Sequence, residues 1–224
     1  MKIWYTSLLA TALTVSTLAA TAADELKTPR EQISYVFGVQ VARNILQQGL
    51  DLDEKAFSLA ISDVWGKKEL KMSPEAMQAS MQQFREEMAK KFQEVAAQNE
   101  KEGKAYREKN KKVKGVVELS SGVQYRIIKK GSGKKPSSTD TVVVNYKGSL
   151  IDGKVFDSSY ERKEPLTIAV NGVIPGWQEI LPMMPVGSKW NVVIPPEMAY
   201  GKRGNGVIGP DATLVFDIEL LSIK

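Results

Sequence analysis

The stretch LVFDIEL, residues 214–220, places Leu214, Phe216, Ile218 and Leu220 on one side and Val215, Asp217 and Glu219 on the other. Strict period-two alternation of this kind predicts a strand with one buried face. The same period recurs upstream. Val142, Val144 and Tyr146 share a face; Trp190, Val192 and Ile194 alternate with Asn191 and Val193; Val123, Tyr125 and Ile127 alternate with Gln124, Arg126 and Ile128. Asp152-Gly153, set between Leu150-Ile151 and Val155-Phe156, is a hairpin signal. One short helix fits from about Pro175 to Leu181. Residues 115–224 therefore read as a half-exposed antiparallel sheet closed over a short helix, within an α+β chain.

Ahead of this domain the period changes to helical. Thr28-Pro29-Arg30-Glu31 combines an N-cap threonine, proline at the first helical position and glutamate at N3, a capping box. Its helix should run to about Gln48, with Gly49 as the stop. Ile33, Tyr35, Val36, Phe37, Val39, Val41, Ile45 and Leu46 fall on more than one face, so the helix needs cover on several sides. A second copy of the chain is the expected cover, which makes 23–73 an all-α dimerisation domain. A second helix fits from near Asp53 to Gly66. Ser73-Pro74 caps a third, long connecting helix, 74–114. Met77, Met81, Phe84, Met88, Phe92 and Val95 make one packing stripe along its first half. From Gln98 to Lys114 that stripe gives way to charge on almost every face, and Gly103 lies inside the charged part. This end reads as an exposed spacer that bends at Gly103.

The 224 residues contain neither cysteine nor histidine. That excludes disulfides, thiol nucleophiles, Cys/His zinc sites and serine–histidine catalysis, and leaves no side chain with an ordinary pKa near neutrality. No metal and no cofactor is expected. The formal charge of +5 is spread along the chain, which argues against a nucleic-acid partner. At the N-terminus, Lys2, the apolar run Leu8–Ala19 and Ala20-Thr21-Ala22 have the layout of a signal peptide, residues 1–22. The apolar run is too short for a membrane span. The mature chain is expected to be exported, with no span of its own: periplasmic, outer-membrane-associated or secreted.

Tyr146, Phe156-Asp157, Val173-Ile174, Trp177, Tyr200 and Phe216 mostly sit at strand ends or at a helix start. Together they would line a small pocket floored by rings, with a few hydrogen-bonding groups at its rim. Such a pocket suits a small, flat, apolar group, and proline is one. The runs VNYKG, GKVFDSSYER, VIPGWQEIL, MPVGSKW, PPEMAYG and GPDATLVFDIELL, in that order, resemble the macrolide-binding prolyl isomerases, the FKBP immunophilins. The helices and signal peptide extend the resemblance to the exported bacterial subgroup of the macrophage infectivity potentiator (Mip).

That resemblance implies an FKBP-like sheet wrapped over the short helix and catalysis of Xaa-Pro cis–trans isomerisation. It implies Tyr146, Phe156, Asp157 and Tyr200 as catalytic residues. Arg162, Leu166, Val173, Ile174, Trp177, Val207, Ile208 and Phe216 would bind substrate, with Trp177 as floor and Tyr146, Phe156 and Phe216 as walls. The Ile174 N–H and the Tyr200 hydroxyl would donate to ligand carbonyls, and Asp157 would orient Arg162 or Tyr146 rather than act as a base. Proline-containing polypeptides and rapamycin-type macrolides are the implied ligands, and a V-shaped homodimer joined through its N-terminal helices the implied assembly. Leu166 departs from the family pattern, standing where many members carry an aromatic wall residue. Assistance to the folding of exported proteins is the expected role. The alternative is a dimeric holdase chaperone, or a surface binding module, in which isomerisation is incidental.

Overall fold

The computed structural model describes residues 26–224; the expected signal peptide lies outside them. The described residues fall into two units, one ending at Asp53 and the other Glu54–Lys224. In the first, α1 (Pro29–Gln47) starts where the capping box places it: the Glu31 N–H donates to Thr28 Oγ1 at 3.2 Å, and the Thr28 N–H donates to Glu31 Oε2 at 2.8 Å. No residue of α1 is buried, and Leu46 is 74% exposed.

The second unit begins with α2 (Glu54–Trp65) and α3 (Pro74–Asn110), the latter capped by Ser73 Oγ accepting from the Ala76 N–H at 3.2 Å. At 37 residues α3 is roughly 55 Å long. Among the described residues no helix is long and apolar enough to cross a membrane.

The sheet is antiparallel throughout. Its strands are β1 (Val116–Glu118), β2 (Gln124–Lys129), β3 (Thr141–Leu150), β4 (Val155–Ser158), β5 (Leu166–Ala169), β6 (Lys189–Ile194) and β7 (Leu214–Ile223). They run in the order β1-β2-β6-β7-β3-β4, with β5 also on β3. The long strand β3 pairs with β7 along one edge. Its other edge is shared: β5 takes Thr141–Val144, and β4 takes Lys147–Ser149. Between those two partners the chain turns through α4 (Ser159–Arg162), and beyond β5 it forms α5 (Pro175–Ile180). The core lies between α5 and the sheet: Ile180, Leu181, Val142, Val144, Ile194, Leu214, Ile218 and Leu220 are all fully buried. The alternation read from residues 214–220 is realised residue by residue in the burial of β7.

One expectation is overturned. The charged end of α3 is not a free spacer, and Gly103 is not its hinge. Gly103 is buried within an unbroken helix, because Thr213, just ahead of β7, approaches it: a Cβ there would sit 3.2 Å from Thr213 Cβ and closer still to Thr213 Oγ1. Polar groups seal the contact. Asn99 Nδ2 donates to the Pro210 carbonyl at 2.7 Å, and Arg107 Nη1 donates to Thr213 Oγ1. The fully buried Gln124 donates to the Arg107 carbonyl at 2.9 Å and accepts from Asn110 Nδ2 at 2.8 Å. Ala96, Asn99, Gly103, Arg107 and Asn110 recur every three or four residues, and each is at least partly covered. The stripe does not vanish after Val95; it turns polar.

Candidate active site

Trp177 of α5 is buried, and three more rings assemble beside it. Tyr146 on β3 meets Trp177 edge-to-face at 5.3 Å and 86°. Phe216 on β7 meets Trp177 at 5.3 Å and 81°, and Phe156 on β4 meets Phe216 at 5.7 Å and 84°. Near-perpendicular pairs at these distances place a positive ring edge on a negative face, a favourable geometry. Gly148 of β3 makes room for them, since a Cβ there would lie 2.7 Å from both Phe156 and Phe216. These rings form the floor and walls of a cleft of about 400 Å³, completed by Asp157, Leu166, Ile168, Gly172, Val173, Ile174 and Tyr200. The volume and the apolar lining suit a small ligand.

The polar rim is built by α4. Ser158 caps that short helix. The next residue, Ser159, is buried and clasps β3, its Oγ accepting the Tyr146 N–H at 2.9 Å. This sets Arg162 above Tyr146, with the guanidinium carbon 5.6 Å from the ring centroid and Nη2 donating to the Tyr146 hydroxyl at 2.9 Å. Asp157 receives both neighbours, the Tyr146 hydroxyl on Oδ2 and Arg162 Nη1 on Oδ1. Burial disfavours the Asp157 carboxylate, but the two donors outweigh it and hold the group below the usual carboxylate range. Burial, then the Asp157 hydrogen bond, raises the Tyr146 phenol. Hydrogen bonds to Tyr146 and Asp157 raise Arg162 further. All three groups are thus locked in their ordinary protonation states at neutral pH. None is poised to exchange a proton.

Elsewhere in the lining, neither the Ile174 N–H nor the Tyr200 hydroxyl has a hydrogen-bond partner among the described residues. Both residues line the cleft. Nine of the twelve residues expected at the site line the cleft: Tyr146, Phe156, Asp157, Leu166, Val173, Ile174, Trp177, Tyr200 and Phe216. Arg162 joins them through Asp157 and Tyr146. Val207 and Ile208 stand elsewhere. Val207 is 67% exposed at a loop tip, and Ile208 is 5% exposed, packed in the core and bridged to Asn205. The sequence reading passed over Ile168 and Gly172 in the lining; the alternation of Leu166 and Ile168 in LTIA marks β5 and would have pointed to the former. It also passed over Ser159 and Gly148, whose parts show only once β3, β4 and α4 are folded together.

Two family models cover the chain: "FKBP-type peptidyl-prolyl cis-trans isomerase" over 132–221, and "Domain amino terminal to FKBP-type peptidyl-prolyl isomerase" over 30–127. The Outer membrane protein MIP of Legionella longbeachae is 41% identical over 212 residues, which span 92% of this chain and 91% of that one. This chain belongs to the FKBP-type peptidyl-prolyl cis-trans isomerases. A second FKBP-type relative, FkpA of Escherichia coli K12, is 43% identical over 219 residues, covering 92% of this chain and 81% of its own. The crystal structure of Escherichia coli FkpA aligns with a TM-score of 0.63 at 42% identity, over 89% of this chain and 98% of that one. A peptidyl-prolyl cis-trans isomerase from Pseudomonas syringae aligns with a TM-score of 0.54 at 38% identity, over 58% and 96%. Membership of the FKBP family makes the ring-lined cleft the place to look for isomerisation.

Proposed function

We propose that this isomerase assists the folding of exported proteins and acts without covalent chemistry, by favouring the twisted Xaa-Pro amide inside the ring-lined cleft. The observation that carries the reading is the pairing of an apolar aromatic floor with a rim whose titratable groups are mutually satisfied.

A planar amide owes its barrier of ~18–20 kcal/mol to C–N resonance, which also separates charge. Prolyl bonds isomerise unaided in tens to hundreds of seconds, slowly enough to limit folding. Twisting the bond removes the resonance and reduces the dipole, so an apolar surround favours the twisted state over the planar one. The Ile174 N–H and Tyr200 hydroxyl, donating to flanking carbonyls in the bent geometry, add binding that is stronger at the top of the barrier. Every ~1.4 kcal/mol of such preference is worth about tenfold in rate. Asp157 acts as an organiser of Tyr146 and Arg162, and a rapamycin-type macrolide would compete for the same cleft.

Export rests on the signal-peptide layout of residues 1–22. The final address is periplasmic, outer-membrane-associated or secreted. Homodimer formation through the N-terminal helices is supported by apolar side chains left open on α1 and α2, among them Tyr35, Phe37, Leu46, Val64 and Trp65, the last 81% exposed. The stripe Met77, Met81, Phe84, Met88, Phe92 on α3 is open as well and favours a second reading, a holdase surface gripping unfolded clients with soft, adaptable side chains.

A refolding assay on a proline-limited substrate separates the two readings. If isomerisation is the working activity, Tyr200→Phe slows both short-peptide turnover and refolding. Refolding assistance that survives loss of peptide turnover supports the holdase instead.

A further inference from the structure

We propose that Asn99 and Arg107 of α3 are positioning residues for the isomerisation: they hold the 201–213 loop and, through it, the Tyr200 hydroxyl at the rim of the cleft. The inference rests on the reading of Tyr200 as a rim donor and adds to it the device that keeps the donor in place.

The loop needs external support. Between Tyr200 and β7 it contains Gly201, Gly204 and Gly206, all with positive φ, and Asp211 with φ 51°. Glycines in such conformations leave the unfolded loop many alternatives and contribute no side chain to fix one of them. Within the loop only Ile208, Pro210, Ala212 and Thr213 are buried.

α3 supplies the missing grip at three points. Asn99 Nδ2 donates to the Pro210 carbonyl at 2.7 Å. The Gly209 backbone lies so close to the helix that a Cβ on it would be 3.1 Å from Asn99 Nδ2 and 3.5 Å from Val95 Cγ1. Arg107 Nη1 donates to the buried Thr213 hydroxyl.

These contacts bracket Asp211, and Asp211 carries the connection to the site. Its N–H donates to the Gly201 carbonyl at 3.0 Å, closing the base of the loop immediately beside Tyr200. Asn99 therefore reaches the rim by a short physical path: Pro210, the Asp211 N–H, the Gly201 carbonyl, Tyr200. Neither Asn99 nor Arg107 touches the cleft, so any effect on turnover passes through the loop.

Proximity along a path is not coupling, and a double-mutant cycle on the full chain decides the matter. The variants are Asn99→Asp, which keeps the shape but replaces the donating amide with an oxygen facing the Pro210 carbonyl, and Arg107→Met, which keeps the length but loses the donor. Each is measured in the Tyr200 and Tyr200→Phe backgrounds for kcat and KM on a short Xaa-Pro peptide, below the melting temperature of every variant.

The expected result is a loss of about three- to tenfold in kcat/KM with Tyr200 present, and little further loss in Tyr200→Phe. An equal loss in both backgrounds, or none in either, overturns the coupling. If Tyr200→Phe alone turns over like the wild type, the reading of Tyr200 as a donor fails first and the proposal falls with it.

Discussion

Asp157 is where the site's electrostatics converge: one carboxylate takes a phenol on one oxygen and a guanidinium on the other. Because the Arg162 and Asp157 side chains are both nearly half exposed, the ion pair itself adds little to stability; its effect is on geometry. Replacing Asp157 with alanine should free Tyr146 and Arg162 and lower kcat/KM by about tenfold, equivalent to ~1.4 kcal/mol at the transition state. Unchanged kinetics would remove Asp157 from the site. The pH dependence follows from the same contacts. A carboxyl held below its ordinary value stays charged until the pH falls through that lowered value, and its contribution is lost only there; Tyr146 and Arg162, both raised, keep their protons on the alkaline side. Activity on a short peptide should therefore be level from about pH 5 to 9. A bell-shaped profile centred near neutrality would contradict this assignment of protonation states. At Gly148 the crowding is steric: alanine there would press on Phe156 and Phe216 from 2.7 Å. Gly148→Ala should weaken macrolide binding and lower the melting temperature together, both read in one thermal-shift titration.

Among the elements, α3 shows most clearly what could and could not be read beforehand. Its start was legible because Ser73-Pro74 is a cap whose chemistry is local. Its far end was not. Docking there uses Asn99, Gly103, Arg107 and Asn110, and a stripe of amide, glycine and guanidinium carries no hydrophobic period even though its three-to-four spacing is helical. Strands β3 and β7 were legible for the converse reason: one face of each is buried and the other is more open, so alternation reports the fold directly, and β6 follows the same pattern from Lys189 to Val192 before Val193 is buried too. The cleft was legible where side chains project from those strands and from α5. Val207 and Ile208 fall outside the cleft lining, and a loop with several glycines offers no period from which to tell inward from outward. Gly103→Ala makes the α3 dock testable by sign alone. On a free helix the change adds about 1 kcal/mol of stability. Against Thr213 it forces two buried groups apart, so the melting temperature should fall. A rise would return α3 to the role of a spacer.

For the molecule as a whole, the dock redraws the catalytic module. The family model for the FKBP-type isomerase spans 132–221, yet Gln124, Thr213 and Pro210 are covered by α3. A fragment cut at residue 115 would expose a fully buried glutamine and leave the 201–213 loop unheld. It should melt lower and turn over more slowly than a fragment beginning at residue 74; equal behaviour would show the dock to be dispensable. The open apolar faces of α1 and α2 carry the expectation of a dimer, and sedimentation of the intact chain as a monomer at micromolar concentration would reject it. The central claim concerns the cleft: it relaxes an amide and moves no proton. Peptide turnover in heavy water, corrected for viscosity, tests this most directly. The account predicts the same kcat/KM as in ordinary water; a clearly slower rate in heavy water would place a proton transfer in the rate-limiting step and contradict it.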